Sequence, residues 1–246
     1  MKDLIVAERL IVAADFKPIV GCHSVEEMVL NLADLLYGTG VYLKINSALR
    51  LGGYGLINKI HDRGLKVFAD LKLNDIPETL ATDGAILRSV NPELLTVMCD
   101  TGDAGMKALK TELPNTEVLG VTVLTSLKEE GAHAIYGCSL DEAVVKLALM
   151  AELAGADGLI ASAKEAGLIR SLMMKKSMTI NTPGIRPTWS IVQGDDQDPN
   201  RILTPAKAIK AGADRIVVGR PILRACSPRA AVDKILEEIA DALAMA

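Results

Sequence analysis

Eight short apolar runs, each followed by a stretch of helical periodicity, limit what this chain can fold into. The runs are Leu10 to Ala14, Val41 to Ile45, Lys66 to Leu73, Leu94 to Cys99, Val118 to Leu124, Gly158 to Ser162, Met178 to Thr182 and Arg215 to Gly219. They are short, mostly rich in branched residues and bounded by turn signals, so they read as strands. Between them, segments such as Ser24 to Tyr37, Tyr54 to Arg63, Pro77 to Val90 and Leu140 to Ala154 carry apolar residues at helical spacing. Ser24-Val-Glu-Glu27 and Ser139-Leu-Asp-Glu142 have the form of capping boxes. Gly64, Gly155 and Gly212 stand where helices would stop, and a last helix starts at about Ser227.

Strict strand–helix alternation over 246 residues predicts an α/β fold, a closed (β/α)8 TIM barrel, with residues 1–246 as a single domain. The rival is an open doubly wound sheet, whose usual mark is a G-x-G-x-x-G after the first strand. Here that strand runs into Ala14-Asp15-Phe16-Lys17-Pro18 instead. Hydrophobic residues make up 50% of the chain but aromatics only 3%, so the core must be built from Leu, Ile, Val, Ala and Met. That suits parallel strands buried on both faces.

Composition also narrows the partners. The net charge of -4, with no basic stripe interleaved with aromatics, predicts no nucleic-acid partner. A membrane span needs about 18 consecutive apolar residues, and the best stretch, Ala143 to Ala163, is broken by Lys146, Glu152 and Asp157. Met1-Lys2-Asp3 leads directly into a strand, so no signal peptide and a cytoplasmic location are expected. Cys22, Cys99, Cys138 and Cys226 form no C-x-x-C pair and read as reduced thiols. His23, His61 and His133 are scattered, so no metal site is expected.

In such a barrel the chemistry belongs where strands end and βα loops begin. The polar residues there are Asp15, Lys44, Asp70, Lys72, Asp100, Thr125, Ser126, Ser162, Arg186 and Arg220. Side chains alternate along a strand, so Asp70 and Lys72 share one face while Leu71 and Leu73 share the other. With the leucines toward the helices, Asp70 and Lys72 point into the mouth, within reach of Lys44 on the neighbouring strand. Charges taken out of water must neutralise one another. A buried ion pair that merely fills the barrel is the competing reading. Barrel interiors are normally packed with branched apolar residues, so three ionisable groups at one rim point instead to proton transfer.

The last strand ends in Val218-Gly219-Arg220-Pro221. A glycine there lets the backbone approach a ligand, and a guanidinium fork suits phosphate, which barrels often bind after strands seven and eight. The longest irregular stretch, Pro183 to Asn200, reads as a functional loop.

These segments together resemble the orotidine 5'-phosphate decarboxylase family. The matching pieces are Leu10 to Asp15, Leu43-Lys44-Ile45, Asp70-Leu-Lys72-Leu-Asn-Asp75-Ile76-Pro77-Glu-Thr79, Val121 to Ser126, Thr182-Pro183-Gly-Ile-Arg186-Pro187, Gly194-Asp-Asp-Gln197, Thr204-Pro205 and Val218 to Pro221. They keep the family's order over nearly the whole chain. The resemblance implies decarboxylation of orotidine 5'-phosphate to UMP in pyrimidine biosynthesis, with no cofactor. It implies that Lys72 protonates C6 as carbon dioxide leaves, with Asp70 beside the departing carboxylate. It also implies a homodimer with shared sites, in which Asp75 joins Lys44, Asp70 and Lys72 from the other subunit.

Substrate contacts implied in the same way are Asp15 and Lys44 to the ribose, with Ile76 and Thr79 from the partner's Asp75-to-Thr79 segment. Thr125 and Ser126 fall at the pyrimidine. Pro183, Arg186, Gln197, Gly219 and Arg220 fall in the phosphate loops. Gln193 competes with Gln197 as the glutamine that closes on the phosphate, and Gln197 is favoured by its Asp-Gln context before Arg201. Many relatives read Val-His-Ala where this chain has Met98-Cys99-Asp100, which leaves that rim position open. Two rivals remain. A 3-keto-L-gulonate-6-phosphate decarboxylase or hexulose-phosphate synthase would share D-x-K-x-x-D but use magnesium and an enediolate. A non-catalytic phosphate-ligand sensor would keep Gly219-Arg220 without needing Lys72.

Overall fold

A computed structural model describes residues 4–18, 23–175, 177–190 and 203–245. Its strands are β1 (Leu10–Ala13), β2 (Tyr42–Ile45), β3 (Lys66–Leu73), β4 (Leu94–Met98), β5 (Glu117–Val121), β6 (Gly158–Ile160), β7 (Thr179–Thr182) and β8 (Arg215–Val218). All pair in parallel and in sequence order, and β8 returns to β1 to close the barrel. The outer layer holds α1 (Val25–Leu35), α2 (Ser47–Gly52), α3 (Gly55–His61), α4 (Pro77–Arg88), α5 (Gly102–Glu112), α6 (Glu129–Tyr136) and α7 (Leu140–Ala154). It continues with α8 (Ala163–Leu172), α9 (Pro205–Lys210), α10 (Arg220–Leu223) and α11 (Pro228–Ala244).

Each strand buries both faces. Ile11, Tyr42, Phe68, Leu94, Leu119 and Val217 meet inside the barrel. Residues of opposite parity, such as Leu10, Val12, Leu43, Val67, Leu95 and Ile216, pack against the helices. That double burial is why the strands read as unbroken apolar runs. The capping boxes form as expected: Glu27 N–H donates to Ser24 Oγ at 3.1 Å, and Ser24 N–H donates to Glu27 at 2.7 Å. Such a cap stabilises a helix by about 1 kcal/mol. Gly155 ends α7 in the left-handed conformation at φ 80°.

All eight expected strands are present, several ending earlier at their C-terminal side. The run expected to reach Leu124 stops at Val121, and that expected to reach Ser162 stops at Ile160. Just beyond those points Thr122 N–H still reaches Ile160 O and Ala161 N–H reaches Asn181 O, each at 3.3 Å, before the chain enters the loops of the mouth. Helix α2 was not expected; at six residues it is too short to show a period.

The opposite end is closed. A 3-10 turn at Val6–Arg9 lies under it, and its Glu8 pairs with Lys66. Inside, Arg215 is fully buried and grips Glu117 through both forks, at 3.0 Å each. Among the described residues, no helix is long and apolar enough to cross a membrane.

Candidate active site

Four charged side chains form an alternating chain at the open end. Lys44 Nζ donates to both carboxylate oxygens of Asp15, at 2.9 and 3.0 Å. The same ammonium reaches Asp70 Oδ2 at 3.1 Å, and Lys72 Nζ reaches Asp70 Oδ1 at 2.6 Å. Asp70 and Lys44 are buried, while Lys72 keeps 31% of its side chain exposed. A lone carboxylate at that depth would cost several kcal/mol. Burial pushes the Asp70 carboxyl up, but the charges and hydrogen bonds of Lys44 and Lys72 outweigh it and hold the group below the usual carboxylate range. Asp70 is thus a fixed anion between two cations.

Alternation alone does not produce this geometry. Between the Ala69–Leu95 and Leu73–Val97 pairs, β3 holds three residues, Asp70, Leu71 and Lys72, where β4 holds one, Thr96. Lys72 takes a left-handed backbone, φ 50°, which costs a non-glycine residue roughly 1–2 kcal/mol. Leu71 still packs toward the helices, as expected. The turn returns Lys72 to the mouth beside Asp70.

Thr96 was missed by sequence reasoning. Its hydroxyl accepts the Lys72 backbone N–H at 2.9 Å and donates to Asp70 Oδ1 at 3.0 Å. A signal existed: Thr96 shares strand parity with the inward-facing Leu94, where a polar side chain is unusual.

These groups open onto a cavity of about 780 Å³. Its lining includes apolar side chains, Phe68, Val121, Val123, Leu124 and Ile160, suited to a ring. It also includes Arg186, Gly219, Arg220 and Arg224, suited to an anion. Gly184, at φ 80°, makes the turn after β7 that only glycine adopts readily. Arg186 N–H then donates to Leu203 O at 2.9 Å, and Ile185 bridges Leu203, so the two feet of the long loop are joined. Gln193 and Gln197 lie outside the described residues.

Of the expected site residues, Asp15, Lys44, Asp70, Lys72, Thr125, Pro183, Arg186, Gly219 and Arg220 line this one cavity. Ser126 is exposed and does not line it; Leu124 takes part instead. Asp75, Ile76 and Thr79 also lie outside its wall. Asp75 is exposed, its carboxylate accepting the Ile76 N–H at 2.7 Å, and it forms no ion pair among the described residues. Ser162 caps α8, its hydroxyl accepting from Lys164 N–H. At the open rim position, Cys99 is buried in the core and burial pushes its thiol up to about 12, so it stays protonated, while Asp100 is exposed. Among the described residues, no group of three or more His, Cys, Asp or Glu side chains could hold a metal ion.

An ammonium braced by a buried carboxylate, apolar side chains and arginines share one cavity at the open end of a closed barrel, an arrangement suited to proton transfer on an anionic ligand. The sequence matches the orotidine 5'-phosphate decarboxylase / HUMPS family over residues 8–235, and the chain belongs to that family. It is 37% identical over 243 residues to the orotidine 5'-phosphate decarboxylase of Bradyrhizobium diazoefficiens, covering 96% of this chain and 95% of that one. The enzyme of the same name from Geobacter sp. (strain M21) is 43% identical over 201 residues, covering 76% of this chain and 80% of the relative. Among solved structures, orotidine 5'-phosphate decarboxylase from Lactobacillus acidophilus superposes with a TM-score of 0.79 at 30% identity, covering 94% of this chain and 99% of that one.

Proposed function

We propose that this chain, a carboxy-lyase, removes carbon dioxide from orotidine 5'-phosphate to give UMP, with Lys72 as the acid that protonates C6. The observation that carries the reading is the 2.6 Å contact between Lys72 Nζ and the buried Asp70 carboxylate at the edge of the cavity. Loss of carbon dioxide leaves an electron pair on a ring carbon with no ordinary sink. An ammonium held beside that carbon stabilises the growing charge and then transfers its proton to it. Asp70 keeps the ammonium aimed and places a negative charge beside the departing carboxylate. Arg186, Gly219 and Arg220 hold the phosphate away from the reacting carbon, so binding energy from there aids the chemical step.

The proposal extends to the assembly. Asp75 is exposed, and Leu51 and Ile76, on segments that follow β2 and β3 at the mouth, are 71% and 65% exposed. A second copy covering that rim would bury this apolar surface and bring Asp75, Ile76 and Thr79 to its neighbour's cavity. The proposed setting is cytoplasmic, with neither nucleic acid nor membrane as partner and no cofactor in the reaction.

The test is Lys72→Ala assayed by the absorbance change of orotidine 5'-phosphate in excess EDTA. Wild type should stay active. The variant should lose at least about 10⁴-fold in kcat, the order seen when a central catalytic group is removed. Its UMP affinity should remain within a few-fold. Equal turnover by the two proteins would sink the role of Lys72, and loss of wild-type activity in EDTA would indicate a metal-dependent reaction.

A further inference from the structure

We propose that Thr96 is a positioning residue for proton delivery, acting through Lys72. The inference rests on Lys72 being the acid. Three observations meet at this one side chain. First, Thr96 is the single β4 residue opposite the three-residue bulge of β3, so it faces the point where the strand ladder is interrupted. Second, Lys72 lies there with a positive φ of 50°, a conformation that persists in a non-glycine residue only where its surroundings hold it. The Lys72 N–H finds its acceptor in the Thr96 hydroxyl, at 2.9 Å. Third, the same hydroxyl gives its own proton to Asp70 Oδ1 at 3.0 Å, the oxygen that receives Lys72 Nζ at 2.6 Å.

The hydroxyl therefore ties together both ends of one lever. It fixes the backbone from which the Lys72 side chain springs and the carboxylate on which its ammonium rests. A hydroxyl can accept and donate at once; a methyl group can do neither. Thr96 is fully buried, so water does not readily replace it. Thr96 is absent from the cavity wall, which makes its role indirect. Without the hydroxyl, Lys72 can relax toward an ordinary extended backbone, and its ammonium shifts relative to a bound ring. Displacements on the order of 1 Å at a reacting centre can cost about 10²-fold in rate.

The experiment compares Thr96→Val, nearly the same shape without the hydroxyl, with Thr96→Ser, which keeps it. Thr96→Val should lower kcat by about 10- to 100-fold, with KM and UMP affinity within about threefold of wild type. Thr96→Ser should recover most of the wild-type kcat. In a Lys72→Ala background, Thr96→Val should cost less than about twofold more, because both changes disable one unit. A Thr96→Val enzyme as fast as wild type would overturn the proposal, as would equal losses from Val and Ser or a full multiplicative loss in the double variant. Should Thr96→Val fail to fold, Thr96→Ala against Thr96→Ser reads the same contrast. Full activity in Lys72→Ala would refute the acid assignment itself. An inactive Lys72→Ala beside an unimpaired Thr96→Val would refute only the positioning role.

Discussion

The barrel interior carries one charged network at its mouth and another at its floor. At the floor, Arg215 is fully buried and meets Glu117 in a two-pronged bridge, with Thr179 and Asn181 adding contacts at 3.4 and 3.3 Å. The Tyr42 ring lies 5.2 Å from the guanidinium, with Lys66 also against it at 5.4 Å. Gly158 leaves the room: a Cβ there would come 2.1 Å from Thr179 Oγ1. No strained backbone is needed, since among the described residues only Lys72 and Asn91 combine a side chain with a positive φ. At the mouth, Lys44 is shared between two carboxylates, Lys72 is partly exposed and its backbone is strained. Both networks neutralise buried charge. The floor turns both terminal nitrogens of Arg215 onto its own residues, leaving only the buried Nε without a hydrogen bond, whereas the mouth keeps an ammonium partly exposed to a ligand.

The contrast predicts separable effects. The largest concerns stability. Arg215→Ala should take the two-pronged guanidinium away from Glu117 in the barrel floor and cost about 3–5 kcal/mol, the range for removing one partner of a buried ion pair. Urea unfolding would read the loss, while kcat per folded molecule should stay within about twofold. A drop in kcat with unchanged stability would break the division between the two ends.

Next comes Lys44→Met, which should leave the fold nearly unaffected by comparison and lower kcat by about 10²-fold, roughly 2.7 kcal/mol of transition-state stabilisation. Asp15 and Asp70 would lose the ammonium between them, and Lys72 would remain alone against the Asp70 carboxylate. Activity close to wild type, measured with saturating substrate, would show that Lys44 is only a structural filler.

The floor and the mouth differ in how far they were legible beforehand. Strand count, order and closure were readable because each run buries two faces, and the helices between carry caps and periodic apolar faces. Asp70, Lys72 and Lys44 were readable as charges at strand ends. The bulge was not: alternation assumes a regular pleat, and nothing in Asp70-Leu71-Lys72 announces a left-handed residue. Thr96 hid inside an apolar run, and the Arg215–Glu117 bridge joins residues far apart in sequence that meet only when β5 and β8 close across the barrel. Asp75 could be placed near a neighbour's site only through the family resemblance, since periodicity says nothing of a second chain.

A third test uses pH. Asp70 sits below its ordinary value of 3.8 because Lys44 and Lys72 outweigh its burial. A depressed carboxylate contributes stability that is fully present above the unfolded value and lost as pH falls through the folded one. The mouth should therefore stay ionised through mildly acidic conditions, with the contribution from Asp70 fading only below about pH 3.8. In Lys44→Met one of the two compensating cations is gone, so Asp70 is depressed less, and its acid-induced loss should be smaller and complete at a higher pH. Unfolding free energy measured against pH in the two proteins reads the difference. Parallel curves would mean that Lys44 does little to hold Asp70 ionised.

The smallest expected effect lies at the outer edge of the floor. The Glu8–Lys66 pair resembles the Arg215–Glu117 bridge in charge but keeps 21% and 39% of its side chains exposed. The hydrogen bond from Lys66, followed by its charge, lowers the Glu8 carboxyl despite the opposing effect of burial. Water and salt screen such a pair, and partly exposed ion pairs typically contribute about 0–1 kcal/mol. Glu8→Gln should accordingly cost less than about 1 kcal/mol, and the difference from wild type should shrink at high ionic strength. Arg215→Ala should keep most of its deficit in the same salt, because its surviving partner lies closer to the barrel interior. If Glu8→Gln proved as damaging and as salt-insensitive as Arg215→Ala, the floor would be one cooperative plug including the Val6–Arg9 turn, rather than a buried bridge with a solvated pair at its margin.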